Sequence, residues 1–147
     1  MKSICVKWVH GMAVEFHDFS IEVKEVMDSR IRAVLEECSG ELETQVKRNS
    51  RVATSKTKNS FHHKVVKTSA GTESHIGSDE KNAIWEEFGT GEYALAGNGR
   101  KGGWVYVDAK GKGHFTRGKR PRRAFWNAFT ALKSVIINHI QNSLKGM

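Results

Sequence analysis

The sequence predicts an α+β domain: a small, largely antiparallel sheet flanked by a long N-terminal helix and a C-terminal amphipathic helix. Three observations carry this prediction. Apolar residues recur at steps of three or four over residues 21–46 and again over 125–144. The stretch between them holds short runs rich in β-forming residues, and nine of the 14 glycines lie between positions 89 and 118. Such glycine density cuts a chain into short strands and loops with unusual backbone angles.

In the first helix Val23, Met27, Ile31, Val34, Cys38, Leu42 and Val46 form one face of a 3.6-residue period, and the whole stripe is expected to pack into the core. Ser20 is a suitable N-cap, Glu22 and Glu25 fall in the first turns, and Lys47 and Arg48 in the last. Both ends therefore complement the helix dipole. A continuous helix over residues 21–48 would run roughly 40 Å. Ser39-Gly40 is its weak point, and a kink is expected there.

In the middle, residues 61–67 pair naturally with residues 72–76 across the turn Thr68-Ser69-Ala70-Gly71. Trp104-Val105-Tyr106-Val107 is the clearest strand, with His114-Phe115-Thr116 returning beside it. The last helix shows a stripe of Phe125, Phe129, Leu132, Ile136, Ile140 and Leu144, with Trp126, Ala128 and Val135 beside it. Pro121, the only proline, suits its first turn, and Gly146 ends it.

At 147 residues, 38% hydrophobic and 27% charged, the chain fits one folded domain. No apolar run approaches the roughly 20 residues of a membrane span. The first ten residues make a poor signal peptide, with Lys7 inside the apolar stretch. Two cysteines, Cys5 and Cys38, do not make a disulfide framework. Charge is uneven: residues 1–50 carry a net −2, and residues 51–147 a net +10. A basic C-terminal two-thirds suits nucleic acid or an acidic protein surface as partner, and equally a solvated basic face.

Catalytic and metal patterns are missing. Gly97-Asn98-Gly99-Arg100-Lys101-Gly102 spells G-x-G-x-x-G, but it precedes a strand and opens no helix, so it lacks the setting of a dinucleotide or kinase loop. His62 and His63 are adjacent and point apart on a strand. Glu86 and Glu87 likewise diverge and make no acid–base pair, and no nucleophile elbow or metal-ligand spacing occurs. The expectation is a protein without enzymatic activity, metal or cofactor.

Two features stand out. Arg117-Gly118-Lys119-Arg120-Pro121-Arg122-Arg123 packs five basic residues into seven. With Arg122 and Arg123 in the first turn of the last helix they would oppose its dipole, which phosphate or partner carboxylates would relieve. The second is Ile84-Trp85-Glu86-Glu87-Phe88-Gly89-Thr90-Gly91-Glu92-Tyr93-Ala94, a core edge or a shaped binding loop.

At these residues the chain resembles the minor tail-component family of tailed phages, the tail-completion or head–tail joining proteins of HK-type lambdoid phages and Gram-positive prophages. The resemblance runs through Ile76-Gly77-Ser78, residues 83–91, the loop 97–103 and Trp104-Val105-Tyr106. It continues through His114-Phe115-Thr116-Arg117-Gly118, Pro121 and the aromatic helix after it. Upstream, Val52-Ala53-Thr54-Ser55 with Ser60-Phe61 is similar to the family's motif before its first hairpin, with Ser55 in place of its glycine. The likeness covers residues 13–145, most specifically 76–126.

The resemblance implies a structural virion protein of the tail or neck, made in the host cytoplasm, that forms a ring of identical copies. Its partners would be other copies, neighbouring neck, tail-terminator or tail-tube proteins, and DNA passing through the channel, with no membrane and no small-molecule substrate. A ring needs a heterologous interface. Glu87, Phe88, Gly89, Thr90, Gly91, Gly97, Gly99 and Gly102 are the candidate contacts to another subunit or partner. Arg117, Lys119, Arg120, Arg122 and Arg123 are candidates to face DNA or an acidic neighbouring ring. The alternative is a small basic, non-sequence-specific nucleic-acid-binding protein, whose affinity would fall steeply with salt. Met12-Ala13-Val14-Glu15-Phe16 resembles a family N-terminus, so residues 1–12 are expected to be a disordered or non-native extension and 13–147 a single domain.

Overall fold

The structure, a computed structural model, describes residues 4–8, 14–51 and 55–145. Strands β1 (Ile4–Trp8) and β2 (Val14–Asp18) form an antiparallel pair. Helix α1 (Ser20–Asn49) follows, then the single turn α2 (Lys56–Asn59). Strands β3 (Phe61–Lys67) and β4 (Thr72–Ser78) make a second antiparallel pair, with Phe61 opposite Ser78 and Lys67 opposite Thr72. Helix α3 (Lys81–Phe88) and a 3₁₀ turn (Gly91–Tyr93) lead into the third pair, β5 (Trp104–Val107) with β6 (Gly113–Thr116). Helix α4 (Ala124–Lys145) closes the described chain.

The α+β class is as expected, with one difference. The strands form three separate two-stranded ribbons in place of one small sheet. Within residues 1–12, Ile4–Trp8 forms the strand that pairs with β2. Met12, Ala13, residues 52–54 of the motif before β3, and Gly146 lie outside the described residues.

The core sits where α1, α4 and the β3–β4 ribbon meet. Leu42, Val46, Phe61 and Ala128 are buried together, and Ile76, Ala83, Phe125, Leu132 and Ile136 pack around them. Coverage of the α1 stripe fades toward its N-terminus: Cys38, Leu42 and Val46 are buried, Ile31 and Val34 half-buried, and Val23 and Met27 exposed. This corrects the expectation that the whole stripe is core. The reason is geometric, because α1 extends beyond the elements that cover it, and at its N-terminal end Ile21 is 70% exposed and Val26 62%.

Phe19, one residue before the expected Ser20, takes the N-cap place of α1. The helix continues through Ser39 and Gly40. There the Ser39 hydroxyl lies 2.5 Å from the Leu35 carbonyl oxygen and 2.5 Å from the Ser74 hydroxyl, so it joins helix to ribbon. Across the same face His63 lies between Glu43 (Nδ1 to Oε2, 2.5 Å) and Glu36 (Nε2 to Oε1, 3.3 Å). Burial alone would raise the Glu43 carboxyl, but hydrogen bonds from Lys47 and His63 outweigh it and hold the group below its ordinary value.

Candidate functional site

The basic segment and the glycine loop meet at the start of α4. The helix begins at Ala124, three residues after Pro121, because Arg123 adopts a left-handed φ of 54° that a first turn does not allow. The amide of Asn127 donates to the Arg123 carbonyl oxygen at 2.9 Å, which places Arg123 at the N-cap. Arginine carries only donors, so it cannot cap with its side chain. The acceptors come from Glu87 at the end of α3: Phe125 N donates to Oε2 and Trp126 N to Oε1, each at 2.9 Å.

This corrects the expectation for Arg122 and Arg123. Neither lies inside the first turn, and the anion that the helix N-terminus attracts is the chain's own carboxylate. Arg122 serves the opposite pole of the neighbouring helix. Its Nε donates to the Asn49 carbonyl oxygen at 2.9 Å, at the C-terminal end of α1 where carbonyls lack helical partners. One helix N-terminus thus meets a carboxylate and one C-terminus meets a guanidinium.

The other basic candidates are also engaged, with one exception. Lys119 Nζ lies 2.5 Å from Glu86 Oε1, and Arg51 Nε lies 3.6 Å from Glu86 Oε2. Glu86 Oε2 is buried without a hydrogen-bond donor among the described residues. The Arg120 guanidinium sits 4.9 Å from the Tyr93 ring centre, and that of Arg123 lies 5.0 Å from Trp126. Arg117 is exposed. Between the end of α1 and α3 lies a cleft of about 140 Å³, in which Glu86 and Glu87 lie among Arg51, Lys119 and Arg122. The two carboxylates there offset most of the charge of the three cations.

The glycines build a backbone clasp between the loop after α3 and the segment after β6. Thr90 N donates to the Lys119 carbonyl oxygen and Glu92 N to that of Arg117, both at 2.9 Å, while Lys119 N donates to the Thr90 hydroxyl at 2.9 Å. Gly91 has a φ of 60°, and a Cβ there would meet the Trp104 ring at 2.8 Å and Gly118 Cα at 2.9 Å. A Cβ on Gly89 would meet the Tyr93 carbonyl oxygen at 2.7 Å and the Pro121 ring at 2.9 Å. Gly99 lies against Gly91 just as closely. The candidate contact residues therefore divide: Glu87, Gly89, Thr90, Gly91 and Gly99 hold the clasp together, whereas Phe88, Gly97 and Gly102 are exposed.

What the sequence reading did not single out is the apolar surface around this clasp. Ile84, Trp85, Phe88, Leu95 and Trp126 are all exposed. Val105, Val107 and Phe115 share one face of the β5–β6 ribbon, since Val105 is opposite Phe115 and Val107 lies two residues on. Alternation in a short strand would have found the ribbon face, but not that it stays uncovered while the opposite side, with Trp104 against Gly91, is half-buried.

Among the described residues no group of three or more His, Cys, Asp or Glu side chains could hold a metal ion, and no helix is long and apolar enough to cross a membrane. Comparison of the chain with protein-family models, curated proteins and solved structures finds no match.

Proposed function

We propose that this chain is a structural protein of a tailed phage or prophage particle, acting at the head–tail junction or upper tail as one copy in a ring. The observation that carries the reading is the amount of apolar surface left bare. Eighteen large hydrophobic side chains are exposed among the described residues, against three large ones buried (Leu42, Val46 and Phe61), and most of the exposed ones lie on α1, α3, the β5–β6 ribbon and α4. A monomer that works alone rarely leaves contiguous apolar patches beyond a few hundred Å². A subunit that works in an assembly covers them with its neighbours.

The order of motifs from Ile76 to Trp126 supplies the particular assembly. The nucleic-acid alternative loses support from the engagement of Lys119, Arg120, Arg122 and Arg123 within the chain. A binder that neutralises phosphates needs several free cations on one face. Quantitative mass spectrometry of gradient-purified particles tests the proposal. The expected result is this chain at a fixed, ring-sized copy number per particle. Its absence from infectious particles would overturn the reading.

A further inference from the structure

We infer that neighbouring copies join by seating the β5–β6 ribbon of one in the apolar groove between α3 and α4 of the next; the inference rests on the ring reading and names the surfaces that close it. The ribbon is built as an inserted element. Val105, Val107 and Phe115 are 64%, 67% and 65% exposed on one face, and no third strand joins the ribbon among the described residues. An isolated two-stranded ribbon is marginal in water and gains stability when an apolar face is covered.

This ribbon is nevertheless held at both ends. At the base a Cβ on Gly103 would meet the Phe115 ring at 2.5 Å, so the backbone there is tightly packed. At the tip Asp108 accepts from Lys110 N at 2.8 Å, Lys112 N at 2.9 Å and His114 Nε2 at 2.9 Å. The apolar face is thus presented in a set position, which lowers the ordering cost of binding.

Phe88, Leu95, Phe125 and Trp126 line a hollow of about 280 Å³. A second hollow of about 420 Å³ shares Glu87 and Phe125 with it and reaches Asp79 and Glu80. One carboxylate marks the direction of docking. The ribbon tip carries exposed Lys110 and Lys112, and the far end of the groove carries Asp79, whose side chain is 90% exposed, beside Lys81 and a Glu80 that is paired with Lys56. Laid along the groove, the ribbon puts its apolar face on Phe88 and Trp126 and its lysines near Asp79.

The area is adequate. The side chains of Val105, Val107, Phe115, Phe88, Leu95 and Trp126 together expose on the order of 650 Å², the larger part of the apolar area in a standard interface of roughly 1,600 Å². Pairing ribbon with ribbon would leave both grooves empty and bring four lysines together. Ridge and groove are different surfaces of one copy, so the contact is heterologous and closes into a ring when the rotation per copy allows.

The test mixes two variants and reads mass by analytical ultracentrifugation. Val105→Glu with Phe115→Glu removes the ridge, and Leu95→Asp with Trp126→Glu removes the groove. Circular dichroism checks that each folds, and Val107→Lys and Phe88→Lys replace any variant that does not. The wild-type chain should form concentration-dependent oligomers and each variant should be monomeric. An equimolar mixture should give dimers and nothing larger, because each pair retains one intact ridge and one intact groove. A monomeric wild-type chain, a variant that still oligomerises alone, or a mixture that stays monomeric would overturn the inference. Dimers on mixing, combined with absence of the chain from purified particles, would keep this contact and reject the phage reading; the converse pair of results would do the reverse.

Discussion

Arg123 stands at the N-cap of α4 with donors only, so the first N–H groups of that helix depend on the Glu87 carboxylate. Glu87→Ala should lower stability by about 2 kcal/mol in urea unfolding, and Glu87→Gln by roughly half as much, since it keeps one acceptor and loses the charge. Gly91→Ala is a harsher change. Its positive φ and the Trp104 ring at 2.8 Å leave no room for a methyl group, and a loss of more than about 3 kcal/mol is expected. Ser55 shows the opposite case. It has a φ of 54°, the left-handed region that favours glycine. Ser55→Gly should raise stability by about 0.5–1 kcal/mol in the same measurement. Little of this was legible in the sequence. That Glu86 and Glu87 diverge follows from helix geometry, but the partners of Glu87 are 38 and 39 residues away, and local spacing cannot place them.

At the scale of elements, α1 is helical through Gly40, and a Cβ there would meet only His63 Cε1 at 3.7 Å, an ordinary contact. Gly40→Ala should therefore stabilise the protein by about 0.5–1 kcal/mol, visible as a raised Tm. The junction of α1 with β3 also has a pH signature. Because the folded Glu43 carboxyl lies below its unfolded value, its contribution is present above the ordinary glutamate pKa of about 4.3 and is lost as pH falls through the folded value. Thermal melts should show the wild-type Tm falling more steeply than that of Glu43→Gln as pH drops below about 5. The periodicity of α1 and the pairing of residues 61–67 with 72–76 could be read from the sequence, because both rest on short-range pattern and turn chemistry. The start of α4 could not, because the left-handed Arg123 answers to the clasp beneath it and not to its own neighbours. For the same reason Pro121 packs against Gly89 in place of opening the helix.

For the whole molecule the consequence lies in what the fold leaves bare. Three ribbons that do not merge into one sheet, and a helix whose first turns leave Ile21, Val23, Val26 and Met27 exposed, are features that the proposed assembly would cover. The apolar stripe of α1 was visible as a pattern. Its half-covered state was not, because periodicity records which residues share a face and not what lies opposite. The charge asymmetry was equally legible in outline, while the structure engages most of the basic segment internally. On the proposed reading, such a chain completes its core in an assembly. The most direct measurement of that proposal is to delete its gene from the genome that carries it, induce, and inspect the lysate by negative-stain electron microscopy. DNA-filled heads lying beside separate tails are the predicted result; normal infectious particles would contradict the account.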